Sequence, residues 1–406
     1  MNGPASRPIV IAGAGIAGLT AALAFAQRGF PVRIFEKAPH LEEIGAGLQL
    51  SPNATRLLER LGVLDHLRPH AVRPQAVVLR SAATLKELAR VPLGDHAERR
   101  WGAPYLVAHR ADLQTALLEQ VSRMRGIEIT TGADVRNSVA ADPGVRLTVD
   151  CGGRSEDMEA LLLVGADGVW SLTRQVLSPG AKSRFAGELA WRATVEEDGP
   201  AGGTLSKLGA PGVVTALLHP GAHLIVYPVR AGRAYNLVVF TPGRAAAEDW
   251  SGRADKSNLL KALRGAAPEL NQLADTAGPW TVWPIHTAPS GIPWTRDGRI
   301  ALIGDAAHAM TPFAAQGAAM AIEDAVTLAA AAPAWRGGNL PQRLAAWEKA
   351  RRPRVERVAR RGALNRFAWH AGGPVALARN LFLAFRSPAA LAADLDWLYG
   401  WELPEG

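Results

Sequence analysis

PIVIAGAGIAGLTAALAFAQRGFPVRIFE, residues 8–36, decides how the start of this chain folds. The pattern predicts strand, tight glycine turn, helix and strand: an apolar strand at 8–12, the turn at 13–18, an Ala-rich helix at 19–28 ended by Gly29, and a second strand at 31–35. In the signature Gly13-x-Gly15-x-x-Gly18 the first glycine allows the tight turn. The second lets backbone approach a pyrophosphate, and the third lets helix and strand pack closely. Glu36 closes the second strand, 18 residues beyond Gly18, where an acidic side chain reaches ribose hydroxyls. A bare glycine signature also fits a turn with no ligand. In this setting, with the acid in place, it points to a dinucleotide of the NAD or FAD type, and the acid argues against a 2′-phosphate.

A second stretch belongs with the first. Residues 301–325 read ALIGDAAHAMTPFAAQGAAMAIEDA. The apolar run 301–303 reads as a buried strand ending in Gly304-Asp305. A small-residue loop then leads to Gly317, and a helix is expected from 318 to 332. A strand-end carboxylate facing a helix N-terminus suits a polar cofactor, because the first helical N–H groups are unpaired and carry partial positive charge. The chain holds no second glycine signature. A cofactor as long as FAD needs a distant second anchor for its ribityl chain, and Gly304-Asp305 meets that need. Gly165-Ala166-Asp167-Gly168-Val169-Trp170-Ser171, with Arg174 beyond, supplies a third strand-end carboxylate.

The 406 residues suit two intimate domains, and an apolar fraction of 48% suits a folded α/β chain. Cys151 is the one cysteine, so no intramolecular disulfide can form, which favours a reducing, cytoplasmic setting. The N-terminus lacks the apolar core of a secretory signal, and no run of about 18 apolar residues suggests a membrane span. Net charge is +8. The arginines are scattered without interleaved aromatics, so nucleic-acid binding is not expected; nor is a metal site. Further along, 51–61 reads as a helix with Ser51 as N-cap and Pro52 at its first position. Another helix is expected from about Arg110 to 125, a strand at 126–131, and a strand pair at 145–149 and 160–164. Runs at 189–195, 213–218, 223–229 and 235–240 read as an inserted antiparallel sheet, and after Gly337 the chain reads as mostly helical. The expected organisation is a Rossmann-like domain from 1–70, 104–180 and 286–360, a substrate domain from 71–103 and 181–285, and a C-terminal helical segment from 361–406.

GAGIAG, GADGVWS and LIGDAAH, in that order, resemble the single-component flavoprotein aromatic hydroxylases, the group A FAD-dependent monooxygenases. Within them the chain is most similar to the salicylate, 3-hydroxybenzoate and 6-hydroxynicotinate hydroxylase branch. The resemblance covers nearly the whole chain. It implies tightly bound FAD, transient NADH or NADPH, and O₂ forming a flavin hydroperoxide that hydroxylates an electron-rich ring. It assigns Gly13, Gly15, Ala17 and Gly18 to the pyrophosphate and Glu36 to the adenosine ribose, followed by Lys37 where many relatives have Arg. Gln49, in Gly45-Ala46-Gly47-Leu48-Gln49, matches a flavin-proximal loop. Arg110 matches an arginine near the phosphates or ribityl chain, although a helix-end surface arginine reads the same way. Asp167 is expected to serve mainly through structure, Asp305 to bind the ribityl chain, and Pro312, Gly317 and Ala318 to border the flavin. An epoxidase, halogenase or reductase of the same fold is the alternative.

Electrophilic hydroxylation needs an activated ring, so a general base with a pKa near neutrality is expected. His223-Leu224-Ile225-Val226-Tyr227 supplies the candidate. On a strand, 223, 225 and 227 share one face, with His223 and Tyr227 about 13 Å apart. A strand histidine packed beside a structural tyrosine is the alternative; the family's His and Tyr at this spacing favour a substrate role. Arg192 is a candidate partner for a substrate carboxylate, equally readable as a surface arginine. His308 is expected to hold its loop or face NAD(P)H. Trp191, Trp280 and Trp283 are candidates for an aromatic floor, and Ala314 and Ala315 suggest a roomy or apolar pocket. A small aromatic substrate, anionic in character, is the expected partner, and a homodimer is possible.

Overall fold

Strand Ile9–Ala12 is buried along its whole length and pairs in parallel on both sides. Ile9 lies opposite Val32 of strand Val32–Glu36 and opposite Leu162 of strand Leu162–Gly165. An apolar run with no polar alternation fits this position, since both faces of a central parallel strand are covered. In this computed structural model, which describes residues 7–41, 46–141, 144–244, 255–332 and 339–404, six strands form the parallel sheet. Their order is Thr295–Arg296, Ile300–Leu302, Leu162–Gly165, Ile9–Ala12, Val32–Glu36 and Ile127–Thr131, with the short first strand antiparallel. Gly45 lies outside the described residues.

Helix Ile16–Ala26 makes the first crossover and starts earlier than the sequence suggests. Gly18 reads as part of a turn, yet it sits inside the helix. A Cβ there would lie 1.9 Å from the Gly13 carbonyl oxygen, so the contact demands glycine.

The second large sheet has seven strands, in the order Thr281–Thr287, Arg184–Glu196, Ala234–Pro242, Ala222–Val229, Val214–His219, Ala76–Ser81 and Glu87–Pro92. It is antiparallel with one exception. Val214–His219 and Ala76–Ser81 run parallel, because the latter arrives from far earlier in the chain and is not tied by a hairpin. The strand Ala222–Val229 is buried at every position, and its two faces belong to different cores. Ile225 and Tyr227 join the main core with Phe240, while Leu224 and Val226 pack with Leu205, Leu259 and Leu273 of three covering helices, Pro200–Lys207, Lys256–Ala262 and Pro268–Thr276.

Other expectations are corrected. Residues 145–149 do not pair with 160–164 as one hairpin. Val145–Cys151 is the middle strand of a three-stranded meander with Ala133–Ala140 and Arg154–Ala160, and the following strand, Leu162–Gly165, enters the parallel sheet. Two similar β-runs separated by one residue look like one element in sequence. One continuous helix, Leu340–Trp369, runs across the expected boundary at 360/361. Ser51 occupies the N-cap position of helix Pro52–Arg60, but its hydroxyl makes no cap bond. It donates to Asn53 Oδ1 at 2.6 Å and accepts from Gln316 Nε2 at 2.9 Å.

Candidate functional site

The three loop motifs converge at the carboxyl ends of the parallel strands. A Cβ on Gly13, whose φ is +101°, would lie 2.6 Å from the Ala166 carbonyl oxygen and 3.2 Å from the Asp167 Cα. A Cβ on Gly304 would lie 3.2 Å from the Ala17 Cβ and 3.1 Å from the Ala321 Cβ. Gly13, Ala17, Asp167 and Gly304 are therefore neighbours although they are spread over most of the chain. Gly15 differs from the other two signature glycines: a Cβ there would meet nothing within 4 Å. Its conformation, φ −76° and ψ −175°, is open to any residue. Backbone space is thus left at the start of helix Ile16–Ala26, which has no side-chain cap and no acid in its first turn. An anion could be seated there by the free N–H groups.

Glu36 reaches into the turn, accepting from Ala14 N at 2.8 Å and from Ala38 N at 3.0 Å. Lys37 beyond it is exposed. Asp167 is used within its own loop: Oδ2 accepts from the Thr173 amide at 2.9 Å and its hydroxyl at 3.0 Å, and Oδ1 accepts from the Ser171 hydroxyl. Its carboxylate therefore fixes the turn after Leu162–Gly165. The Asp305 side chain is exposed and accepts no hydrogen bond among the described residues. The open turn, the uncapped helix and two strand-end carboxylates fit a dinucleotide of FAD type.

Helix Gly317–Ala331 begins at Gln316 with no side-chain cap and no acid in its first turn. Gly317 is exposed, while Ala318, Pro312, Ala314 and Ala315 are half-buried. Ala315 holds φ +52°, a conformation that costs a non-glycine residue and clusters at functional loops. A buried polar network underlies this helix. Asp324 Oδ2 accepts from Gly304 N at 3.0 Å and bonds His308, so His308 does hold its loop. Asp324 Oδ1 and Glu323 Oε2 both bind Arg351, at 2.9 and 2.7 Å. Arg354 and Asn53 also bind Glu323. The residues 323, 324, 351 and 354 were not singled out from sequence; a Glu-Asp pair in an apolar helix was the available signal.

Cross-strand register arranges the inner face of the seven-stranded sheet in rows. Tyr227, Asn236 and Thr194 form one row, Ile225, Val238 and Arg192 the next, and His223, Phe240 and Ala190 the third. Directly paired residues share a face, so His223, Tyr227 and Arg192 look to the same side. Tyr227 closes on strand Gly47–Leu50: a Cβ on Gly47 would lie 2.8 Å from its Oη, and the Gly47 amide donates to Asn236 Oδ1 at 2.7 Å. Gln49 on that strand accepts from the Tyr105 hydroxyl at 2.6 Å. Arg110, exposed, starts helix Arg110–Arg123. Arg192 is half-buried, and among the described residues its Nε is sealed and unpartnered; burial lowers its pKa, with Tyr227 opposing that and Arg110 adding to it. Burial raises the Tyr227 hydroxyl pKa, and Arg192 opposes that.

His223 departs from expectation. It is 1% exposed and ringed by Phe240, Phe313 and Trp369, with centroids 4.8, 5.2 and 5.1 Å away. Burial first, and the neighbouring His370 second, press its pKa well below the usual histidine value, not to neutrality. Its Nε2 is buried with no partner among the described residues. The aromatic floor also differs. Trp191 and Trp280 lie in the core on the far face, bonded to Thr241 Oγ1 and the Ala274 carbonyl, because 191 and 192 point to opposite faces. Only Trp283 of the three packs against the main core.

A protein-family model described as FAD binding domain matches residues 6–362. The 3-hydroxybenzoate 6-hydroxylase of Polaromonas naphthalenivorans is 34% identical over 99% of this chain and 98% of its own. The 3-amino-4-hydroxybenzoate 2-monooxygenase of Streptomyces cremeus is 35% identical over 97% and 94%. Among solved structures, Klebsiella pneumoniae HpxO complexed with FAD and uric acid shares the fold, with a TM-score of 0.83 at 24% identity over 97% of this chain and 96% of that one. No helix among the described residues is long and apolar enough to cross a membrane. With the dinucleotide cradle assembled from both ends of the sequence and relatives matched almost end to end, the chain belongs to the FAD-dependent aromatic hydroxylases, flavoprotein monooxygenases that use NAD(P)H and O₂.

Proposed function

We propose that this enzyme hydroxylates a small aromatic carboxylate that already carries a ring hydroxyl or its heteroaromatic equivalent. The observation that carries the reading is the single row-ordered sheet face, with the unpartnered His223 Nε2 at one end and Tyr227 and the unpartnered Arg192 Nε toward the other. Gly13, Gly15, Ala17, Gly18, Glu36 and Lys37 would hold the adenosine diphosphate half of FAD; Gln49, Arg110, Asp305, Pro312, Gly317 and Ala318 the flavin half; and Asp167 their shared loop. Bound FAD supplies the redox chemistry that joins NAD(P)H oxidation to O₂, placing one oxygen atom in the ring and releasing the other as water. The N-terminus of helix Gly317–Ala331 stabilises negative charge beside it by about 0.3–1 kcal/mol, more where water is excluded. His223 Nε2 accepts the ring hydroxyl's proton, raising electron density on the ring, and Tyr227 orients the substrate. Burial keeps the His223 ring neutral, with a lone pair available, and makes it a poor resting place for the proton.

A panel of 3-hydroxybenzoate, 3-amino-4-hydroxybenzoate and 6-hydroxynicotinate, assayed for stimulated NADH and NADPH oxidation with labelled O₂, tests the reading. Label in an aromatic product is expected; oxidation without label in product points to a reductase instead. His223→Ala is expected to lower kcat by about 10²–10⁴-fold with FAD content unchanged. Unaltered turnover in that variant removes His223 from the chemistry. Arg192→Gln removes a charge-assisted partner worth about 1.5–3 kcal/mol, so KM for carboxylated rings is expected to rise by roughly 10- to 100-fold. Analogues lacking the carboxylate should bind both forms alike; an equal loss for them would mean that Arg192 serves packing.

We also propose a cytoplasmic homodimer. Support comes from helix Gly373–Ala384, which has no buried residue and leaves Leu377, Leu381 and Phe382 exposed, with Phe385 beyond it 86% exposed. Sedimentation should give a dimer for the full chain and a monomer for Phe382→Glu; a monomeric unaltered chain refutes it.

A further inference from the structure

A base buried as deeply as His223 needs an exit for the proton it removes. Three aromatic rings seal it from solvent, and its one polar contact among the described residues runs from Nδ1 to Nε2 of His370, at 2.7 Å. His370 comes 147 residues later, at the C-terminal end of helix Leu340–Trp369, and is half-buried. The two rings lie 4.9 Å apart. The pair thus spans from the sealed inner face of the sheet to the protein surface.

We propose that His370 is a proton relay, carrying to solvent the proton that His223 takes from the substrate hydroxyl. The inference rests on the proposed substrate deprotonation by His223. In the step, the substrate O–H bond breaks as an N–H bond forms at His223 Nε2. The N–H bond at His223 Nδ1 breaks as one forms at His370 Nε2, and the proton on His370 Nδ1 passes to water. Each imidazole ends neutral with its tautomer exchanged. Return of a proton to the product oxygen along the same path restores both.

The surroundings favour passage over storage. Burial lowers the pKa of both rings, and with Arg366 and His219 acting in the same direction that of His370 falls to about 4. Arg366 beside it pairs with the buried Glu188 at 2.7 Å. His219 is no competing exit. Its Nδ1 accepts from the Gly221 amide at 3.0 Å, which leaves its Nε2 to donate to the Arg264 carbonyl at 3.1 Å. Neither imidazole of the relay can rest as a cation near neutral pH, so a proton entering one side must leave by the other.

The test uses FAD-loaded enzyme in weak buffer with a pH indicator, mixed rapidly with whichever acid of the panel it binds. Binding is followed separately by the change in flavin absorbance. His370→Gln keeps an amide able to bond His223 Nδ1 but cannot pass a proton. It is expected to keep its FAD content and substrate affinity while proton release slows by about tenfold or more, with imidazole in solution restoring the rate. His370→Asn serves as the second variant should the glutamine form fold poorly. Weakened binding with proton release as fast as in the unaltered enzyme would make His370 structural and overturn the relay. Normal proton release in His223→Ala, or none in the unaltered enzyme with any acid that binds, overturns the substrate reading itself and the relay with it.

Discussion

Gly18→Ala is expected to give no soluble, FAD-containing enzyme, whereas Gly15→Ala folds normally and binds its cofactor more weakly. The two glycines stand three residues apart in one motif and fail for different reasons. At Gly18 a methyl group would sit 1.9 Å from the Gly13 carbonyl oxygen and 3.1 Å from its carbon. The obstacle is backbone, and Gly13 cannot retreat, being itself held against Ala166. Overpacking a core costs about 1–3 kcal/mol when side chains can adjust, and more here, against a total stability of about 5–15 kcal/mol. At Gly15 the backbone angles suit alanine and nothing lies within 4 Å of the added Cβ. The stability of the cofactor-free protein should change by no more than about 0.5 kcal/mol. On the proposed seating of FAD, the methyl group would fill the space where the pyrophosphate meets the helix N-terminus, so the Kd for FAD should rise by about tenfold or more, some 1.4 kcal/mol. The soluble yield of Gly18→Ala, and a thermal melt and FAD titration of apo Gly15→Ala, check this. Unchanged FAD affinity in Gly15→Ala would mean that the open space at Gly15 is not the pyrophosphate seat.

What the sequence made legible is what local chemistry determines. The glycine signature, the strand-end carboxylates and the turn-bounded β-rich runs of the second sheet follow from backbone sterics and local propensity, and each is visible within about a dozen residues. The shared face of residues 223, 225 and 227 was legible from side-chain alternation, which is equally local. Features set by distant pairing were not. Trp191 looked like a pocket residue until register turned it to the far core, and Ala76–Ser81 could be assigned neither a partner nor a direction. His223 looked like a base near neutrality because its sequence neighbours say nothing of Phe313, Trp369 or His370, which arrive from other elements. Burial by remote residues sets its pKa, and no local pattern records it.

Arg351→Met is expected to destabilise the protein by about 3–5 kcal/mol, because it leaves two fully buried carboxylates short of a cation. Arg351 is 3% exposed and its guanidinium forks between Glu323 and Asp324, which are both sealed from solvent. Arg354 still binds Glu323 and His308 still bonds Asp324, so the loss is partial. The charge is retained in Arg351→Lys, but a lysine cannot fork between two carboxylates, and an intermediate loss is expected. The network also gives the expected response to acid. Burial alone would raise the Asp324 pKa, yet His308, Arg351 and the Gly304 amide outweigh it and the net shift is downward. A carboxylate with a lowered folded-state pKa stabilises fully above its unfolded value, about 3.9, and loses that contribution as pH falls through the folded value. Stability should therefore fall below about pH 4 in the unaltered protein, and the fall attributable to Asp324 should shrink in Arg351→Met, whose folded pKa moves up toward the unfolded one. Denaturant melts between neutral pH and pH 3 measure both effects. Because Asp324 also fixes the Gly304 amide, FAD release should accompany the destabilisation rather than follow global unfolding. A variant within about 1 kcal/mol of the unaltered protein, with an unchanged acid slope, would show that Arg354 and His308 alone satisfy these charges.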